Sequence, residues 1–152
     1  MEELKLSPFQ FTNPVLFELN FSINKEYQPG SKGEELDFPL AMNVARPPID
    51  ECKNNTATVF LTVKVGDEDA AFPCQISATM GADFRWDPSM PEETAEKLLA
   101  QNAPALLLGY IRPYVAQITE ASPVGAIHLP FANFSAAKKR EESFATGNMD
   151  CD

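Results

Sequence analysis

Three cysteines, one histidine and a few short acidic clusters are the residues of this chain that could do chemistry. Cys52, Cys74 and Cys151 are odd in number and far apart, so they form neither a metal-binding spacing nor a disulfide framework. Cys74 alternates with Phe72 and Ile76, which reads as core packing. His128 stands alone between Ile127 and Leu129, and a lone histidine in an apolar stretch reads as structural. No serine or cysteine sits in a nucleophile-elbow pattern. No glycine-rich loop follows a strand and opens a helix, so nothing cradles a phosphate. Asp67-Glu68-Asp69 lacks the spaced oxygen ligands of a calcium loop and reads as a solvated hairpin tip. Glu92 and Glu93 head a helix, where carboxylates favour the dipole. The expectation is a protein without catalysis, cofactor or metal.

Composition narrows the partners. Of 152 residues, 12 are Lys or Arg and 22 are Asp or Glu, for a net charge of −10. Such a chain is poorly suited to phosphate backbones and anionic membranes. Hydrophobic residues make up 44%, the composition of a folded domain. The longest apolar stretch, Ala103 to Ile111, is interrupted by Pro104 and Gly109 and falls far short of the ~20 residues of a membrane span. Met1-Glu-Glu-Leu-Lys lacks the basic start of a secretory signal. Together these features predict a soluble, cytoplasmic protein.

The elements follow from periodicity. Phe9, Phe11, Val15, Phe17, Leu19, Phe21 and Ile23 recur every second residue, which predicts one long strand, with Pro14 forcing a bulge or an edge. Leu36, Phe38, Leu40, Met42 and Val44 predict a second strand after a Pro/Gly-containing linker. Ala57 to Val65 and Phe72 to Met80 predict a third and a fourth, joined at Gly66. Ser89-Met90-Pro91-Glu92 reads as a capped helix start, with Ser89 as the cap. A short helix to about Asn102 and a second from Pro104 to about Thr119 are expected, the latter kinked near Pro113. That second helix is apolar nearly all round and must be covered on every side, by the chain's own C-terminal segment or by another subunit. Residues 123–134 are too rich in Pro and Gly for helix and read as an extended crossing segment. The fold class expected is α+β, a four-stranded antiparallel sheet with two helices packed on one face. It forms one domain over 1–134, followed by a charged tail, 135–152, partly helical or disordered.

These patterns, in this order, resemble the SecB protein-export chaperones. Lys25-Glu26-Tyr27-Gln28-Pro29 is similar to the family's Lys-acidic-aromatic-Gln-Pro segment, and Ala71-Phe72-Pro73-Cys74 to its Ala-Phe-x-Cys. Asn102-Ala-Pro-Ala-Leu-Leu-Leu-Gly-Tyr110-Ile-Arg112 resembles its Cys-Pro-x-x-Leu-(Leu/Phe)-x-Tyr-(Ala/Ile)-Arg helix opening. Leu129-Pro130-Phe131-Ala132-Asn133-Phe134 resembles its Leu-x-Pro-(Val/Ile)-Asn-Phe, shifted by one around the proline. The resemblance covers about Phe9 to Phe134.

It implies an ATP-independent holdase that binds unfolded polypeptides for export and hands them to the SecA motor. The implied assembly is a homotetramer of two sheet-paired dimers that meet through their long helices. The implied peptide-binding surface is Tyr27, Leu36, Phe38, Leu40, Met42, Leu129, Phe131 and Phe134, although alternation on a strand reads equally as core for Leu36, Leu40 and Met42. The implied helix interface is Leu107, Ile111, Tyr114, Val115 and Ile118. The motor contacts are largely lost: Glu18 matches one acidic position, but Ser22 and Gln75 stand where the family has acids. Two alternatives remain open. One is a SecB-like chaperone dedicated to a single client such as an antitoxin; the other is a small-molecule-binding protein of the same fold.

Overall fold

A computed structural model describes residues 3–27, 39–66 and 72–135. Leu36, Phe38, the hairpin tip 67–69 and the tail from residue 136 lie outside the described residues. Five strands run in order through the chain: β1 (Phe9–Phe11), β2 (Val15–Ile23), β3 (Leu40–Ala45), β4 (Thr56–Val65) and β5 (Cys74–Trp86). All pairings are antiparallel. β5 is the spine: β1 and β2 pair along one side of it, β4 pairs on the other, and β3 closes the far edge beside β4.

The expected four strands are therefore five, because the first is broken. Thr12 keeps the break on the sheet: its N–H donates to the Asp83 carbonyl at 2.9 Å. Pro14, with no N–H, interrupts the ladder there. A second irregularity has a larger effect. The register slips between Leu16, opposite Met80, and Glu18, opposite Thr79. One extra residue reverses the side-chain parity. Leu16, Leu19 and Phe21 face the core, while Val15 and Phe17 point to the open face. The expected unbroken alternation of Phe9 through Ile23 is thus corrected at the bulge.

Phe17 has a place on that open face. Its ring meets Phe60 edge-on, centroids 5.2 Å apart, above Gly81. A Cβ on Gly81 would lie 2.6 Å from the Phe60 ring and 2.9 Å from that of Phe17, so glycine leaves the hollow the two rings fill. Gly66 is needed for a different reason. Its φ is +91°, and an added Cβ would sit 2.1 Å from the Cys74 carbonyl oxygen.

The helical layer is one continuous run, not two separate helices. α1 (Glu92–Lys97) passes through a π turn (Leu98–Asn102) into α2 (Ala103–Thr119). Ser89 does not cap α1. Its hydroxyl and amide both donate to Asp87 Oδ1, at 2.7 and 2.9 Å, and Pro91 takes the position before the helix. These bonds hold the Asp87 carboxyl below its usual pKa, the side-chain bond contributing most. α2 continues through Pro113. The carbonyl that Pro113 leaves without a donor is on Gly109, which is exposed and open to water.

The core lies between sheet and helix. Val59, Leu61 and Val63 of β4 and Ile76, Ala78, Met80 and Phe84 of β5 face Leu99, Leu107, Ile111 and Val115. Each large side chain buried there stabilises the fold by about 1.5–3 kcal/mol. Arg46, past the end of β3, ties the sheet edge to α1 through a two-pronged ion pair with Glu96. The Arg46 side chain is only 12% exposed, and its Nε has no acceptor among the described residues. Glu96→Ala is expected to lower stability by about 1–3 kcal/mol, since it leaves a guanidinium enclosed without its anion. Urea denaturation checks this, and an unchanged midpoint would show that Arg46 finds water without Glu96.

Candidate functional site

Three features of the described surface offer unpaired backbone or exposed apolar side chains. The first is the open edge of β3. The Gly66 N–H donates to the Pro39 carbonyl at 2.9 Å, which sets the hydrogen-bonding phase of the β3–β4 ladder. Ala41, Asn43 and Ala45 consequently bond to β4, while the N–H and C=O of Leu40, Met42 and Val44 point away from it. Among the described residues nothing takes these groups. The side chains of the same three residues are half-buried against the core. Leu40 and Met42 therefore combine core packing with an unpaired backbone.

The second feature is the crown of α2. Leu107, Ile111 and Val115 recur every four residues and are 0% exposed, closed against the sheet within one protomer. They are unavailable to a second copy, which corrects their expected place in an interface. What faces outward is a shallow groove of about 620 Å³ lined by Leu106, Gly109, Tyr110, Pro113 and Tyr114. Tyr110 and Tyr114 are each 43% exposed, and Ile118 is half-buried. Phe11 of β1 extends the apolar surface, its ring edge-on to Tyr110 at 6.2 Å.

The third feature is the segment after α2. It crosses without regular structure, as its composition predicts. The Thr119 hydroxyl, itself donating to the Val115 carbonyl at 2.6 Å, accepts the Ile127 N–H at 2.8 Å. Ile127, Leu129 and Phe134 are buried and pin the segment down. Leu129 and Phe134 are thus core residues, not the free contacts expected. Phe131, between them, is 91% exposed. Its ring carries the Arg112 guanidinium at 5.0 Å from the centroid. His128 points outward, although its neighbours on both sides are buried. Tyr27, at the end of its described stretch, is half-buried.

The open face of the sheet is largely polar and close to neutral. Asn20, Ser22, Thr62, Ser77, Thr79 and Gln75 pave it, with Thr62 and Thr79 hydrogen-bonded at 2.8 Å. Glu18 is exposed there, hydrogen-bonded by the Asn20 amide, in a hollow shared with Lys64. No acidic patch surrounds it among the described residues.

The two described thiols, Cys52 and Cys74, are not activated as nucleophiles. Burial pushes the Cys74 thiol pKa up. Burial raises that of Cys52 too, with the nearby Arg46 charge opposing in part. A nucleophilic cysteine needs the opposite shift. No group of three or more potential metal ligands occurs among the described residues, and no described helix is long and apolar enough to cross a membrane.

This sheet order under a long helix defines a SecB-like fold. The structure matches that of a Mycobacterium tuberculosis SecB-like chaperone, solved in complex with a peptide from the HigA1 antitoxin. The TM-score is 0.56 at 16% identity, over 82% of this chain and 88% of that one. A protein of unknown function from Streptococcus agalactiae matches more loosely, with a TM-score of 0.46 at 13% identity, over 81% of this chain and 97% of that one. No family model and no curated protein matches the sequence.

Proposed function

We propose that this chain is an ATP-independent chaperone that holds an unfolded or extended polypeptide, and that it serves one dedicated client in preference to general export. The observation that carries the reading is the β3 edge. Three free amide and carbonyl pairs belong to Leu40, Met42 and Val44, whose side chains form an apolar row along the same edge, one of them a conformationally adaptable methionine. An extended chain can bond to such an edge through backbone groups that every sequence possesses, while its alternate side chains meet the apolar row. Phe131, held out of a pinned segment, adds an aromatic contact. The SecB-like fold and the antitoxin peptide bound to the mycobacterial chaperone support a polypeptide client. The near-neutral open face, with Glu18 beside Lys64, weighs against docking of the SecA motor and so against the export reading.

Assembly belongs to the same proposal. The crown of α2 would meet its counterpart on a second copy, and the free edge of β2 would pair with another β2. The result would be a homotetramer in the cytoplasm.

The test is suppression of aggregation of a chemically denatured protein without ATP, followed by amide exchange of the complex. Suppression at about one client per tetramer is expected, with the amides of Leu40, Met42 and Val44 slowed on binding. Failure with a panel of unrelated denatured proteins would remove the generalist reading, and a single client held among them would confirm the dedicated one. Failure with every client, by a well-folded sample, would end the chaperone proposal.

A further inference from the structure

Arg112 is a half-buried cation that, among the described residues, has no anion and no hydrogen-bond acceptor. Its one contact is the face of Phe131. Arg46, the more enclosed arginine, shows the usual solution, a carboxylate on two guanidinium nitrogens. Arg112 has the same five donors, none bonded to a described residue and all open to solvent, since Arg46 Nε is the enclosed nitrogen without a partner among the described residues. The ring contact contributes about 0.5–1 kcal/mol at so exposed a site and satisfies no N–H.

Position sharpens the point. Arg112 lies two residues past Tyr110, roughly 200° around the helix, on the flank opposite the Phe11–Tyr110 contact. That flank faces the crossing segment, where Leu129 and Phe134 are buried and Phe131 is the exposed large apolar side chain. The guanidinium lies over one face of the Phe131 ring, so a charge and an aromatic surface are presented together. The chain's net charge of −10 opposes the approach of acidic partners in general. A free arginine in such a chain makes a local exception to its field.

We infer that Arg112 and Phe131 form a reading site for a carboxylate set next to an apolar side chain in the bound polypeptide. The occupant is a client segment in which an Asp or Glu adjoins an aromatic or large aliphatic residue. The carboxylate takes two guanidinium N–H groups, which fit it as a fork. The neighbouring apolar side chain lies on the outer face of Phe131. This deepens the proposed function and rests on it. It assigns Arg112 as a specificity determinant, distinct from the sequence-blind backbone contacts of β3.

The probe is a pair of fluorescein-labelled eight-residue peptides, Leu and Phe in alternation with Ser, differing only in a central Glu or Gln. Anisotropy titrations would compare wild type, Arg112→Gln and Arg112→Lys. Wild type is expected to bind the Glu peptide about tenfold more tightly than the Gln peptide, the effect of one charge-assisted contact. Arg112→Gln should bring the two affinities together without weakening the Gln peptide more than about twofold. Arg112→Lys should keep a reduced preference, since an ammonium supplies the charge without the fork. Raising the salt tenfold should shrink the wild-type preference, a check that needs no variant to fold. Equal binding of both peptides by wild type would overturn the inference and leave the chaperone reading standing. A preference that survives Arg112→Gln would overturn it too, because the carboxylate would then be read elsewhere, by another copy or another face. Binding of neither peptide, with every denatured client also refused, would remove both.

Discussion

Ile111→Asp is expected to abolish cooperative unfolding, leaving a chain that is insoluble or molten. Ile111 is fully buried, between the flanking core residues Leu107 and Val115 of α2 and facing β4 and β5. Removing its side chain alone costs about 2–5 kcal/mol. An aspartate there adds the penalty of a carboxylate without water or partner, several kcal/mol more even after relaxation. Domains have about 5–15 kcal/mol in total, so the sum reaches the whole of it. Ile111→Ala should instead fold, with Tm lowered by about 5–15 °C. Circular dichroism melts of the two variants beside wild type measure both effects. A sharp melt for Ile111→Asp would mean that this face of the helix is turned outward and that the core is misplaced.

The layers of the fold were legible because burial is one-sided. β4 alternates without interruption, and every inward residue from Ala57 to Val65 is buried; β5 alternates too except at Gly81, buried between Met80 and Ala82, and runs past the expected end at Met80 to Trp86. β2 was not legible in the same way. Its composition alternates just as cleanly, but one extra residue near Phe17 reverses its parity, and nothing local marks a bulge. The signal lay elsewhere, in Gly81, whose missing side chain makes room for an aromatic on the opposite face. The π turn at Leu98–Asn102 was hidden for a related reason. Asn102 and Pro104 both read as boundaries, yet Pro104 falls just after the π turn, where the regular four-residue ladder is already interrupted, so the run continues through a residue without an N–H.

The site was legible in part. Phe131 was singled out and is exposed; Leu129 and Phe134, five residues apart on the same segment, were singled out with it and are buried. An irregular segment has no period from which to assign faces. Arg46 and Glu96 are 50 residues apart, and no local pattern joins them. The faces of α2 could have been read more closely. Tyr110, Tyr114 and Gln117 are polar-tipped and lie together on the outward side, while Leu107, Ile111 and Val115 lie at the spacing of the inward one. Counting the helix as apolar all round concealed that division.

Tyr110→Asp combined with Tyr114→Asp is expected to separate assembly from folding. The two side chains stand one turn apart on the crown and are already about half in water, so charges there find solvent within the protomer. The Tm of the protomer should fall by only a few degrees. Between two copies the same charges would be buried against each other's apolar groove, four aspartates in one contact if two crowns meet. Each uncompensated carboxylate would cost several kcal/mol, more than the surplus of an ordinary interface. Light scattering after size exclusion should therefore show the proposed tetramer replaced by a smaller species, a dimer if the β2 edges hold. Since β3 and the Arg112–Phe131 flank lie off the crown, that smaller species should still bind an extended peptide. A tetramer that survives both substitutions would move the interface off α2. A dimer that no longer binds peptide would place the client in the groove of Leu106, Tyr110 and Tyr114 itself, with assembly then needed to complete the surface.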